Sequence, residues 1–144
     1  MSLPHAFWDS SALVPLCLTQ SATEKAEAWA QQFNMAVWWG ASVEVHSAIA
    51  RIHRSGELTD EEKSDAEACL QALADRWREV LPSDSIREEA KAALDTYPLR
   101  AADSLQLAAA LIWCRNRPTG RTFLCADTRL AEAAATAGFT VLRP

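Results

Sequence analysis

Along most of the chain, apolar runs of four or five residues alternate with longer segments in which charged and apolar positions recur every three or four residues. HAFW (residues 5–8) and FTVL (139–142) are almost wholly apolar, as strands buried on both faces should be, and MAVWW (35–39) and RTFLCA (121–126) read the same way. A short strand is expected around Glu79 to Leu81. Helical periodicity predicts helices from about Ser21 to Phe33 and from about Ser42 to Ser55, and another opened by LTDEEKSD and ending near Arg78, with Thr59 as its cap and Glu62 three residues on. Further helices are predicted over SDSIREEAKAALDTY, RAADSLQLAAALIWCRN and DTRLAEAAATAG, the last stopped by Gly138. Strands separated by helices require crossover connections. The expected fold is therefore α/β, a three-layer α/β/α sandwich around a central, mostly parallel sheet.

Length and composition add few constraints. The 144 residues are 49% hydrophobic and 23% charged, enough for one compact domain over 1–144, and no repeat or Gly/Pro/Ser-rich linker divides them. MSLPHAFWDS lacks the basic flank and apolar stretch of a signal peptide. The longest apolar run, LAAALIWC, falls well short of the roughly 20 residues that span a bilayer, so a cytoplasmic protein with no membrane partner is expected. Cys17, Cys69, Cys114 and Cys125 are far apart in sequence, form no CxxC pair and have apolar neighbours, which predicts reduced, buried thiols. The net charge of −5 argues against indiscriminate nucleic-acid binding. It is unevenly spread, however. Acids crowd residues 57–67, whereas from Tyr97 onward six arginines (Arg100, Arg115, Arg117, Arg121, Arg129 and Arg143) face three acids. The central acidic run, interleaved with Ala, Leu and Cys at helical spacing, reads as a solvated helix face.

Four acids stand apart from that run because of where the elements put them. Asp9 ends the HAFW strand as the next helical segment begins, and Asp127 does the same after FLCA. Glu44 lies in the first turn after MAVWW, and Asp103 in the first turn of an otherwise apolar helix. Each has a plain explanation as a helix cap or as an acid complementing the helix dipole. In a parallel sheet, however, helix starts that follow strands share the carboxyl edge, where open α/β folds bind ligands. Carboxylates gathered there repel one another and are costly to desolvate unless a cation intervenes. With only oxygen ligands on offer, Mg²⁺ or Mn²⁺ is the expected cofactor, and such ions activate water and stabilise charge on phosphoryl groups.

The blocks FWDSSALVPL, SVEVHSAIAR, LRAADSLQLAAAL and FLCADTRLAEAAATAGFTVL resemble, in order and spacing, the four acidic blocks of the PIN-domain family, in particular its bacterial VapC-type toxin ribonucleases. The resemblance covers essentially the whole chain. It implies a Mg²⁺- or Mn²⁺-dependent endoribonuclease, the toxin of a type II toxin–antitoxin pair, acting on an RNA substrate. It also implies a cognate antitoxin protein and a homodimer. Carried over by motif, Asp9, Glu44, Asp103 and Asp127 match the catalytic and metal-holding acids. One departure is visible: where many relatives have histidine in a DALHLA-like pattern, this chain has DSLQLA, with Gln106 one turn after Asp103.

Around these acids, Ser10 or Ser11 could orient a water or the neighbouring carboxylate, or simply support the turn. Arg100 and Arg129 adjoin Asp103 and Asp127 and could reach a phosphate, and Arg51 shares the helix face of Glu44, where a phosphate contact and an internal ion pair are both open. His5, His46 and His53 neither cluster nor adjoin a nucleophile. Trp38 and Trp39 must point to opposite sides if MAVWW is a strand, and packing accounts for them better than base stacking does. A receiver domain would need paired acids after the first strand and a late lysine, and a haloacid-dehalogenase-type phosphatase would need DxDx; the chain reads DSSA. The remaining rival is a catalytically silent interaction module of the same fold, in which the four acids serve only as caps.

Overall fold

The computed structural model describes residues 2–144. Five strands, β1 (His5–Trp8), β2 (Asn34–Trp38), β3 (Arg78–Val80), β4 (Thr122–Leu124) and β5 (Thr140–Leu142), form one sheet in the order β3-β2-β1-β4-β5, and every pairing in it is parallel. Seven helices connect them: α1 (Ser10–Cys17), α2 (Thr23–Ala30), α3 (Ala41–Arg54), α4 (Asp60–Ala74), α5 (Asp84–Thr96), α6 (Ala101–Trp113) and α7 (Thr128–Ala137). The expected α/β/α architecture is the one observed. From β1 the chain winds outward through β2 to β3, then returns across the sheet to β4 and β5. The direction of winding therefore reverses between β1 and β4, and a crevice opens at such a reversal, beyond the carboxyl ends of the strands.

Side-chain alternation divides the core in two. Phe7, Ala36, Trp38 and Phe123 point to one face of the sheet and pack with Ile86 and Ala90 of α5, Leu107 and Ala110 of α6, and Leu130 and Ala134 of α7. Ala6, Trp8, Val37 and Leu124 point to the other face, against Leu13 of α1, Val45 and Ile49 of α3, and Ala66 and Leu70 of α4. The strand registers explain this sorting: Phe7 lies opposite both Ala36 and Phe123, and Trp8 opposite Leu124, so like-facing residues are neighbours across the strands. Trp38 is buried while Trp39, just past the end of β2, is 52% exposed, so only the first belongs to the core.

Several boundaries depart from the sequence reading for local reasons. The helix expected over residues 21–33 is shorter, and it is preceded by the eight-residue α1, whose periodicity is obscured by Pro15. Asp9 starts α1 as its cap, accepting a hydrogen bond from the Ser11 amide. The helix opened by Thr59 does form the predicted capping box with Glu62, but it ends at Ala74, leaving Arg78 to begin β3. Gly138 terminates α7 with φ of 118°, a left-handed conformation that glycine adopts without Cβ strain. The four cysteines carry no disulfide. Only Cys114 and Cys125 are buried; Cys17 and Cys69 are half-exposed and line one cleft between α1 and α4, so distance in sequence is not distance in space.

Candidate active site

All four singled-out acids reach the carboxyl edge of the sheet and line one open cleft of about 480 Å³, together with Ser10, Ser11 and Arg51. Asp9 and Asp127 arrive on the loops after β1 and β4, the two strands flanking the reversal point. Glu44 comes from the first turn of α3 and Asp103 from the first turn of α6. Asp103 and Asp127 also line an adjoining cleft of about 560 Å³ with Arg100 and Arg129. The two clefts thus share a pair of carboxylates as their common wall, with arginine on either side.

Asp9 is the most enclosed member, 3% exposed. Its Oδ2 accepts from the Ser11 amide at 3.1 Å and from the Ser11 hydroxyl, and the Cys125 thiol lies 3.6 Å away. Among the described residues no donor reaches Oδ1, which leaves that oxygen for the cleft. Ser11 does more than support a turn. While its hydroxyl donates to Asp9 it accepts from the amides of Ala126 at 2.9 Å and Asp127 at 3.2 Å, tying the loop after β1 to the loop after β4. That hydroxyl is fully occupied, so the part expected of it in orienting a water falls away and positioning of Asp9 remains. Ser10 opens α1 and lines the cleft.

Asp127 caps α7, with Oδ1 accepting from the Leu130 amide at 2.9 Å. Its loop is fastened from two further directions that sequence reasoning missed. The Cys125 thiol donates to the Asp127 carbonyl at 3.3 Å, and the Arg143 guanidinium donates to the Ala126 carbonyl at 2.8 Å and the Thr128 hydroxyl at 3.0 Å. The signal for Arg143 was its place just beyond β5, which becomes informative only once β5 is known to lie beside β4. Glu44 is half-buried, and Gln106 donates to its Oε1 at 2.7 Å. Arg51 lines the cleft on the same helix and makes no ion pair with Glu44 among the described residues, which removes the internal salt bridge as its explanation.

The electrostatics are those of an under-neutralised acidic site. Burial pushes the Asp9 carboxyl up to about 6, the Ser11 hydrogen bonds working against that rise and Asp103 adding to it. Burial likewise raises Glu44 to about 7, opposed by the Gln106 hydrogen bond and reinforced by Asp9 and Asp103. Asp103 is raised by burial and by Asp127, while Arg100 and Arg129 pull it back. Among the described residues no three His, Cys, Asp or Glu side chains stand close enough together to hold one ion as they are. Carboxylates that repel across a cleft are expected to stand apart, and Mg²⁺ is characteristically held by one or two carboxylates with the rest of its shell water. The all-oxygen donor set, short of positive charge, fits a hard divalent cation on those terms.

The fold and the acidic rim place the chain in a recognisable structural class. Its fold is similar to that of a toxin–antitoxin complex from Klebsiella pneumoniae, with a TM-score of 0.63 at 17% identity, covering 86% of this chain and 88% of that one. FitAcB from Neisseria gonorrhoeae gives a TM-score of 0.65 at 17% identity over 94% and 96% of the two chains. VapBC2 from Rickettsia felis, bound to a DNA fragment from their promoter, gives 0.64 at 9% identity over 96% and 97%. At these identities the likeness shows the fold alone. The sequence itself is similar to the ribonucleases VapC45 and VapC49 of Mycobacterium tuberculosis, each 29% identical over 137 residues, covering 82% of this chain and 90% of the relative. No protein-family model matches the chain. The resemblance to VapC-type ribonucleases carried by the four acidic blocks is thus borne out along most of the chain, and the fold is PIN-like.

Proposed function

We propose that this protein is a Mg²⁺- or Mn²⁺-dependent endoribonuclease, the toxin of a type II toxin–antitoxin pair. The observation that carries the reading is the meeting of Asp9, Glu44 and Asp103 on one cleft, where burial raises the first to about 6 and the second to about 7 and so disfavours their charge. Caps serving stability alone have no reason to be buried within reach of one another's charge. Similarity to two curated ribonucleases agrees with this, as does the occurrence of toxin–antitoxin complexes among proteins of this fold.

Asp9, Glu44 and Asp103 would share the cation between direct and water-bridged contacts, one or two carboxylates binding it directly, with Asp127 offering the oxygen its cap leaves over. When bound, that cation supplies an activated water and neutralises charge developing on a phosphoryl group. The protein's own part is positional. Ser11 fixes the Asp9 carboxylate, and the Ser11, Cys125 and Arg143 bonds hold the Asp127 loop in register with it. Arg51 on one side of the carboxylate wall, and Arg100 with Arg129 on the other, would bind phosphates of an RNA strand across the rim.

The same reading includes protein partners. Trp39 and Leu81 lie just past the ends of the neighbouring strands β2 and β3, and Val43 follows in the first turn of α3. At 52%, 63% and 69% exposed, they are apolar side chains near the carboxyl edge, Val43 itself lining the cleft, that a second copy or an antitoxin would cover. No helix among the described residues is long and apolar enough to cross a membrane, and a cytoplasmic site of action goes with the RNA substrate. The test is cleavage of total cellular RNA by purified protein with and without Mn²⁺, alongside Asp9→Asn and Asp103→Asn. Metal-dependent cleavage lost in both variants is expected; wild-type cleavage rates in both would refute the assignment.

A further inference from the structure

Gln106 is fully buried in α6, and only half of its amide is used. Nε2 donates to Glu44 at 2.7 Å, whereas Oε1 is sealed from solvent with no hydrogen-bond partner. Its buried helix neighbours are Ser104, Leu107, Ala108, Ala109 and Ala110, a setting in which leucine would fill the same space without orphaning a carbonyl. A buried acceptor without a partner is a standing cost to the fold, so the amide's compensation must come from its other end.

That end joins the two helical layers. Glu44 belongs to α3, packed on the face of the sheet that carries Trp8 and Val37, while Gln106 belongs to α6 on the opposite face with Phe7 and Phe123. Their hydrogen bond therefore passes over the carboxyl edge of the sheet, at the cleft. Gln106 lies one turn after Asp103 on the same face of α6, so a single helix face presents one acidic group and anchors another. With Oε1 of Glu44 held, its second oxygen is the one left for the cleft.

We propose that Gln106 is a positioning residue of the active site, orienting Glu44 across the sheet edge for the divalent cation. This rests on the metal-site reading above and assigns a residue that reading leaves without a role. Gln106→Leu isolates the function, because it removes the donor and the orphaned carbonyl together while keeping an apolar filler. Gln106→His returns an N–H donor at comparable reach. Mn²⁺ binding by calorimetry and the thermal midpoint of the metal-free protein are measured for wild type and both variants.

The expected result is an affinity about tenfold weaker in Gln106→Leu, with an unchanged or higher metal-free midpoint, and recovery of most of the affinity in Gln106→His. Wild-type affinity in Gln106→Leu overturns the inference while leaving the metal site standing. A lower midpoint in Gln106→Leu with no rescue of affinity by histidine overturns it too, because Gln106 would then be a packing residue. Absence of saturable Mn²⁺ binding in the wild type overturns the metal-site reading and this inference with it.

Discussion

Two regions of the molecule are rich in acid, and they behave in opposite ways. In the first turn of α4, Asp60, Glu61 and Glu62 lie in open solvent, His53 meets Asp60 at 2.7 Å, and Lys63 meets Glu67 at 2.9 Å. Hydrogen bonds from Thr59 hold the Glu62 carboxyl below its ordinary range. At the sheet edge the same residue types are raised instead: Asp9 to about 6 and Glu44 to about 7, each chiefly by burial and then by its neighbours' charge. The α4 acids serve the helix they begin. Asp9 and Glu44 are held by the fold in places that disfavour their charge, the kind of perturbed environment that marks a functional-site candidate.

Asp9→Asn should separate the two regions most sharply. The amide keeps the shape and an acceptor for Ser11 but removes the charge, so metal-dependent RNA cleavage should fall about a hundredfold or more. The metal-free protein should at the same time become more stable, on the order of 2 kcal/mol at pH 7.5, because a buried carboxylate has been replaced by a neutral group. Urea denaturation and an RNA cleavage assay on the same preparation decide it. Loss of stability together with full cleavage would return Asp9 to the role of an ordinary cap.

Ser11→Ala should come next in size. It removes a donor from Asp9 and leaves the Ala126 and Asp127 amides without their acceptor. A stability loss of about 2 kcal/mol and roughly tenfold slower cleavage are expected. If urea unfolding of the variant matches wild type, the two loops are not held together by this hydroxyl.

The sequence made the strands and both kinds of acid legible for different reasons. HAFW announced a buried parallel strand by its near-absence of polar positions, whereas FTVL, read the same way, forms the edge strand β5 with Thr140 exposed and Val141 and Leu142 half-buried; Thr59 with Glu62 announced a helix start by local chemistry alone. Asp9, Glu44 and Asp127 were readable as a group because a parallel sheet puts the helices that follow its strands at one edge; Asp103, on a helix that follows α5 and leads into β4, joined them through the resemblance of its block. The parts contributed by Ser11 and Arg143 were not readable, since they act on a loop more than a dozen residues away, across strand pairings that only the assembled sheet defines, and the Cys125 bond to the Asp127 carbonyl depends on a loop conformation that spacing does not reveal. Gln106 looked like a departure from a pattern until Glu44 was placed beside it.

The pH dependence of the metal-free protein extends the comparison, with a smaller effect. Asp9 and Glu44 bind protons more tightly folded than unfolded, so their ionisation opposes folding above about pH 7, and this is relieved as pH falls toward their unfolded values near 4. Between pH 7.5 and 5 the thermal midpoint of metal-free protein should therefore rise by a few degrees, on the order of 5 °C. Mn²⁺ should flatten the trend by stabilising the protein most at the upper end, where protons compete least. The lowered carboxyls of Glu62 and Glu67 contribute in the other direction, but below this window, where they begin to protonate. A midpoint that falls steadily from pH 7.5 to 5 would mean the rim acids are not destabilised by burial.

The smallest effect belongs to the other acidic region. Thr59→Ala deletes the hydroxyl that accepts from the Glu62 amide at 3.0 Å and breaks the reciprocal box at the start of α4. It should cost about 1 kcal/mol in urea denaturation. The Mn²⁺ affinity and the cleavage rate should stay at wild-type values, because α4 packs on the sheet through Ala66 and Leu70 and sends no side chain into the carboxylate cleft. A change in either would mean that the start of α4 communicates with the rim through α1 or α3, the helices it packs against, and the two acidic regions would then be linked rather than independent.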